Sequence, residues 1–363
     1  MRILGIESSC DETAAAIVED GRRLLSNVVN SQIDIHAQYG GVVPEVAARS
    51  HIEVINPVIN KALTDANLGW NDIDAIAVTY APGLIGSLLV GTLAARTLAL
   101  VHNKPLYPIH HVEAHVYANF ITDQANNLNL ELPAKQPTFP MLALIVSGGH
   151  SQLALFQSHG DYSLLGQTRD DAVGEAFDKV AKILGLPYPG GPSIATAAEH
   201  GDANKYRLPK SKMDNAYDFS FSGLKTAVLR AVQREVGVDT TFPSTELAGL
   251  LNEQQRCDFA ASFQKTAVET LVDKTVAAFR KHSPASVVIA GGVAANQELR
   301  RYLAEQLPIA INYAPMSLCT DNAAMIATLG YYVSTEVEPT PPTEMTVQPS
   351  ISMNQTAWSK RDA

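Results

Sequence analysis

Short apolar runs separated by small polar residues set the first part of the chain. Ile3 to Ile6 reads as a strand, Glu7-Ser8-Ser9-Cys10-Asp11-Glu12-Thr13 as a polar loop, Ala14 to Val18 as the return strand, and Asp20-Gly21 as a hairpin turn. A helix is predicted from Val46 to Ala66, a buried strand from Ile73 to Thr79, and a turn at Ala81-Pro82-Gly83. An apolar helix, Leu84 to Leu100, and a strand, Pro105 to Ile109, follow. Between Asp123 and Pro140 the chain is rich in Asn, Pro and Gln and reads as a surface loop.

The opening pattern then recurs. Met141 to Val146 is an apolar strand, Ser147-Gly148-Gly149-His150-Ser151 a small polar loop, and Leu153 to Phe156 a return strand. A repeated strand–loop–strand unit predicts two related α/β domains. Loops of this kind offer backbone N–H groups and hydroxyls to a phosphate or carboxylate, and two facing loops would clasp one anionic ligand. Taken alone, Glu7–Thr13 fits a plain hairpin with an acidic tip equally well.

Further on, Asp170 to Lys179 begins a helix with acidic residues in its first turns, as the helix dipole favours. Pro189-Gly190-Gly191-Pro192 reads as a turn that allows close backbone approach. Asp218–Thr226 is an aromatic–serine run that fits a packing wedge or a ligand contact. Helices are predicted over 245–254 and 258–281, and a buried strand over Val287 to Ala290. That strand opens into Gly291-Gly292-Val293-Ala294-Ala295-Asn296, whose glycines let a ligand lie against backbone and whose Asn296 offers donor and acceptor. The loop does not match the dinucleotide fingerprint. Cys319-Thr320-Asp321-Asn322 supplies ordinary capping residues for a last helix, Ala324 to Tyr332.

Composition narrows the class. At 363 residues, with 46% hydrophobic and 18% charged residues, the chain reads as soluble and globular with room for two domains. A net charge of −10 argues against a stand-alone nucleic-acid binder. Three cysteines, Cys10, Cys257 and Cys319, form no paired pattern, so a reducing cytoplasm is expected. No charged leader precedes an apolar core, so no signal peptide is expected. Gly86, Ser87, Gly91 and Arg96 interrupt the helix from Leu84, which is expected to be buried rather than to cross a membrane.

The densest chemistry lies in His110-His111-Val112-Glu113-Ala114-His115. On a helix, His111 and His115 sit one turn apart with Cβ atoms roughly 5–6 Å from each other, so both imidazoles can meet one metal ion. A single His is most often a surface or capping residue, but three His and a Glu in six residues weigh against that here. A zinc protease would place Glu beside the first His. Glu113 is two places on, about 200° around the helix from His111, and points away from the metal face.

Taken together, Ile6–Thr13, Tyr39-Gly40-Gly41-Val42-Val43-Pro44-Glu45, His111–His115, Val146–His150, Asp218–Thr226, Ala290–Asn296 and Cys319–Asn322 occur in the order found in one family. The chain closely resembles the TsaD family of tRNA adenosine threonylcarbamoyltransferases, from its first residue to about Tyr332. The resemblance implies two ribonuclease-H-like domains of the actin/Hsp70 ATPase-like fold with a ligand cleft between them. The expected division is residues 1–105, residues 106–321 carrying the metal and nucleotide loops, a helix over 322–333 packing back on the first domain, and a flexible tail over 334–363.

It further implies a divalent metal, iron or zinc, held by His111, His115 and Asp321, and ligand contacts from Ile145, Val146, Ser147, Gly148, Gly149, Asp178, Gly191 and Asn296. The implied reaction moves a threonylcarbamoyl group from threonylcarbamoyl-AMP to N6 of the adenosine beside the tRNA anticodon. Asp11, Glu12 and His150 are the candidate proton acceptors and Glu113 the outsider; the Asp11/Glu12 pair is favoured because its loop would face the reacting centre, and His150 also counts among the ligand contacts. Expected partners are tRNA, a paralogous TsaB-type subunit and a TsaE-type small ATPase, with no membrane.

Two departures stand out. Ala195 occupies a position where many members have Asp, and Val347-Gln348-Pro349-Ser350-Ile351 replaces a basic–aromatic segment. A small-molecule kinase of the same fold class is the rival reading, and it leaves the His cluster idle. An Hsp70-like binding module would need a peptide-binding domain beyond Tyr332.

Overall fold

A computed structural model describes residues 1–355 and 358 of the chain. β1 (Arg2–Glu7), β2 (Glu12–Glu19) and β3 (Arg23–Ser31) form an antiparallel meander. The short α1 (Ile33–Ala37) and the long α2 (Pro44–Asp65) follow, α2 starting with Pro in its first turn where a missing N–H costs nothing. β4 (Ala75–Ala81), α3 (Ile85–His102) and β5 (Leu106–His110) build a crossover, with β4 parallel to both β1 and β5. α4 (His111–Tyr117) leaves β5 directly, and β6 (Asp123–Gln124) is a two-residue edge strand on β3.

β7 (Met141–Val146), β8 (Ser151–Ser158) and β9 (Asp161–Gln167) repeat the opening. Then come α5 (Val173–Leu184), α6 (Gly190–Ala198), α7 (Ser222–Glu235), α8 (Glu253–His282), β10 (Ser286–Ala290), α9 (Gln297–Gln306), β11 (Ile311–Tyr313), α10 (Met316–Cys319) and α11 (Ala323–Glu336). The first sheet is ordered β5-β4-β1-β2-β3-β6 and the second β11-β10-β7-β8-β9. Apart from the edge strand β6, the two orders are the same, so the repeat extends from one loop to a whole sheet.

The chain divides into two compact units. One comprises Met1–Met141, Phe156–Ser163 and Asn312 onward; the other comprises Leu142–Leu155 and Leu164–Ile311. In the first, Leu4, Ile6, Ile17, Ile76 and Val78 of the sheet pack with Ile55, Ile59 and Ala62 of α2 and Ala95 and Ala99 of α3. Burying each large aliphatic side chain contributes about 1.5–3 kcal/mol. The other face of β1, β2 and β4 is covered by α11.

Several expectations change. The division expected at residue 105 falls inside the first unit, because β5 is hydrogen-bonded to β4 in one sheet. The metal candidates therefore belong to the first unit, together with Asp11 and Glu12. From 334 on, the expected tail instead continues α11 to Glu336, and Met345 and Met353 are buried. Its backbone bonds to Leu106, Tyr80 and Gly83 through Thr340, Gln348 and Pro349. Residues 356, 357 and 359–363 of that tail lie outside the described residues.

Helix α3 was expected to be buried, but only a third of it is, and Ile85, Leu89, Leu93 and Leu100 are exposed. By length and composition it is the one helix among the described residues that could cross a membrane. The helices predicted over 245–254 and 258–281 become a short 3₁₀ turn, Leu247–Leu250, and one 30-residue helix, α8. Asn252 explains the break. Its Oδ1 accepts from Gln255 N at 2.8 Å and its own N–H donates to Gln255 Oε1 at 3.0 Å, a capping box. The Pro189–Pro192 turn starts α6, and strands β3 and β9 were not anticipated.

Candidate metal centre and nucleotide loops

The parallel strands β1, β4 and β5 end side by side, and the chemistry of the first unit collects at those carboxyl ends, where open α/β sheets place their ligands. β1 ends at Glu7, β4 carries Thr79, and β5 runs through His110 into α4. His110 caps α4 by accepting from Glu113 N, and its Nε2–H donates to the Ile351 carbonyl at 3.2 Å. Burial pushes His110 down to about 4, which keeps it neutral for that task.

One turn into α4, His111 and His115 stand edge to face with ring centroids 4.7 Å apart. Asp321 Oδ1 lies 3.5 Å from His111 Nε2 and 3.3 Å from His115 Nε2. Ligand atoms of the three residues all fall within 4.8 Å of one another. Asp321 reaches this point because Asn322, not Asp321, caps α11 by accepting from Met325 N at 3.1 Å.

The donor set fits a divalent cation on two observations. His115 is 2% exposed, and neither of its nitrogens has a well-directed hydrogen bond. A buried imidazole is rarely left in that condition without a reason. Two imidazoles and a carboxylate also match the borderline-soft and oxygen-tolerant ions, zinc and iron.

The electrostatics agree with such a site. Burial alone would lower the His111 pKa, but the Asp321 and Glu7 carboxylates outweigh it and push it up to about 9. Burial and the nearby carboxylates of Asp321 and Asp11 push Glu12 up to about 10, while Ser31 Oγ donates to Glu12 Oε1 at 3.2 Å. Asp11, Glu12 and Asp321 thus form one acidic surround. Glu113 turns the other way, as the helical geometry requires. It is 1% exposed and accepts from Tyr162 Oη at 3.1 Å and Trp358 Nε1 at 3.0 Å.

The second unit builds its loops from backbone. Ser147 N–H donates to the His150 carbonyl at 2.8 Å, and Gly174 and Glu175 N–H, at the start of α5, donate to the Ser147 and Gly148 carbonyls. Gly291 has φ +89°, and a Cβ there would sit 2.4 Å from the Val146 carbonyl oxygen. Only glycine lets the two loops touch in this way. Asp178 Oδ1 accepts from Gly190 N at 2.7 Å, tying α5 to the start of α6 beside Gly191. Ser147, Gly148, Gly149, His150, Gly174 and Gly291 are therefore assembled around one backbone ledge, with Gly148 and Gly149 exposed.

A family model described as TsaD, tRNA N6-adenosine threonylcarbamoyltransferase, matches residues 23–328. The chain belongs to the TsaD family. A curated protein of that description from Thermomicrobium roseum is 52% identical over 341 residues, 92% of either chain. One from Symbiobacterium thermophilum is 51% identical over 334 residues, 91% of either. Among solved structures, full-length HypF in its phosphate- and nucleotide-bound form aligns at a TM-score of 0.56 with 12% identity, over 92% of this chain and 55% of that one. That likeness speaks to fold alone, and the fold is α/β of the actin/Hsp70 ATPase-like class. The activity is that of a tRNA-modifying transferase, which sets aside the kinase, the binding module and the protease.

Against the TsaD expectations, two placements differ. The side chains of Ile145 and Val146 are fully buried, so only their backbone is available to a ligand. Asn296 uses its Oδ1 to cap α9, accepting from Leu299 N at 3.0 Å, and its Nδ2 donates to Gln264 Oε1 at 2.9 Å. The residues overlooked in the sequence are Glu7 and Ser9, which face His111 Nδ1, and Thr79, which donates to Glu7. The one available signal was an acidic residue closing an otherwise apolar strand.

Proposed function

We propose that the chain transfers the threonylcarbamoyl group of threonylcarbamoyl-AMP to N6 of adenosine-37 in tRNAs that read ANN codons, forming t6A and releasing AMP. The observation that carries the reading is the set of two buried histidines, His111 and His115, with the half-buried Asp321 beside the Asp11/Glu12 pair, within a chain of this family. A divalent cation held by His111, His115 and Asp321, iron first and zinc second, would supply positive charge for an anionic donor and polarise its carbonyl. The N6 amine forms the new C–N bond to the carbamoyl carbon, the C–O bond to phosphate breaks, and AMP leaves with the electron pair. The amine proton passes to the Asp11/Glu12 pair.

In the second unit, the Gly148 and Gly149 N–H groups, the Ser147 hydroxyl and the backbone of the Gly291 loop are offered to an adenylate phosphate, with Asp178 and Gly191 on the adjoining edge. The net charge of −10 sits badly with unaided binding of a polyanion. A TsaB-type paralogue and a TsaE-type ATPase are therefore proposed as partners, in the cytoplasm. The exposed apolar row Ile85, Leu89 and Leu93 of α3, with Ile52 of α2, suits the paralogue. The test is reconstitution with synthetic donor, tRNA, metal and both partners, read by nucleoside mass spectrometry. Modified adenosine that depends on this chain supports the reading, and none from the metal-loaded mixture overturns it.

A further inference from the structure

A metal ion needs both histidines to present an unprotonated nitrogen at the same point, and a lone imidazole does not choose which nitrogen that is. For His115 the described residues provide no such choice, since neither nitrogen has a hydrogen-bond partner. His111 differs. Its Nδ1 faces Glu7 Oε2 at 3.0 Å and Ser9 Oγ at 3.2 Å, while its Nε2 faces Asp321.

Glu7 itself has no freedom to move. It is 0% exposed at the end of β1, and both carboxylate oxygens are engaged. Ser9 N donates to Oε1 at 2.5 Å, and Thr79 Oγ1 donates to Oε2 at 2.5 Å. The parallel register that pairs Ile6 with Val78 sets Glu7 and Thr79 side by side. The carboxylate is thus held by loop backbone and a strand side chain, and it is aimed at one nitrogen.

We propose that Glu7 is a positioning residue for the transfer reaction: by accepting the Nδ1–H of His111 it fixes the tautomer and ring plane that turn Nε2 toward the metal. The proposal rests on the reading of His111, His115 and Asp321 as a metal centre. Carboxylates behind ligating histidines commonly serve this way. A buried carboxylate with no such partner would be costly, and an apolar residue would pack there instead.

The test titrates Co²⁺ or Zn²⁺ into the metal-stripped full-length chain as wild type, Glu7→Gln, Thr79→Val and His111→Ala, with ¹⁵N-histidine NMR of the zinc-loaded proteins to read which His111 nitrogen keeps its proton. Glu7→Gln should weaken metal binding about 10–100-fold and turn a single Nδ1–H tautomer into a mixture. Thr79→Val, which frees one oxygen of the carboxylate but keeps its charge, should lose less affinity. Wild-type affinity and tautomer in Glu7→Gln, with metal lost in His111→Ala, overturns the role of Glu7 alone. Wild-type affinity in His111→Ala overturns the metal centre, and this role with it. Should Glu7→Gln fail to fold, unchanged affinity and tautomer in Thr79→Val decides against the proposal.

Discussion

The two copies of the repeated sheet end in different chemistry. In the first, the loop after β1 and the ends of β4 and β5 bring in Glu7, Asp11, Glu12, His111 and His115, all ionisable, with Glu7 and both histidines buried and Asp11 and Glu12 half-buried. In the second, the loop after β7 and the end of β10 offer Ser147–His150 and Gly291, with hardly a charged side chain. One geometrical detail survives in both. A Cβ on Gly83, after β4, would lie 2.5 Å from the Ser9 carbonyl oxygen, and one on Gly291, after β10, 2.4 Å from that of Val146. The scaffold brings the same two loops into backbone contact each time, and the residues placed on it then divide the labour. On the proposed function, the first copy holds a cation and moves a proton, and the second presents N–H groups to an anion.

The sharpest way to break that contrast is to remove the charge. His111→Ala, His115→Ala and Asp321→Ala are each expected to lose bound metal and most transfer activity while staying folded. Elemental analysis beside circular dichroism checks this, and full occupancy in all three would end the idea. Next in size is a pH effect that only the first copy should show. In metal-free protein His111 is raised from 6.5 to about 9. The stability of its pairing with Glu7 and Asp321 is fully present below pH 6.5 and lost as pH rises through 9. A cation must displace that proton, so apparent affinity should climb roughly 50-fold between pH 7 and pH 9. Affinity that is flat over this range, by competition with a chelator, would remove His111 from the ligand set.

The second copy should respond to shape rather than charge. Gly291→Ala places a Cβ against the Val146 carbonyl at a φ of +89°, and a loss of about 2 kcal/mol or more in denaturant unfolding is expected. Stability equal to wild type would mean the ledge yields easily. The smallest effect belongs to Gly148→Val. A Cβ at Gly148 meets nothing within 4 Å, so folding should be unaffected. AMP binding should nevertheless weaken by more than the ~0.5–1.5 kcal/mol of one hydrogen bond, with metal content unchanged. Equal AMP affinity in calorimetry would move the nucleotide away from this loop.

What could be read along the chain follows from interactions between near neighbours. The apolar runs foretold β1, β2, β4, β5, β7 and β10, because strand burial is written every second residue or as a continuous run. The His111–His115 pair and the averted Glu113 were legible for the same reason, since one helical turn fixes their relative directions. A break before α8 was expected at 255–257 and falls at Leu251–Asn252, because the local Asn252–Gln255 box sets the helix start a few residues earlier.

Other features were settled by partners far along the chain. Asp321 joins the histidines only because α11 covers β1, β2 and β4 and Asn322 takes the capping role. Glu7 meets His111 only because β1, β4 and β5 pair in parallel. Ile145, Val146 and Asn296 looked available for a ligand until the fold committed their side chains. The stretch after residue 334 read as a tail because its Pro- and Thr-rich composition carries no period. Its anchors, Met345, Met353 and Trp358, are isolated apolar residues whose burial depends on surfaces made elsewhere. Local pattern decides which segments become strands and helices, whereas the meeting of their ends depends on pairing and packing over long sequence separations, which no local pattern encodes.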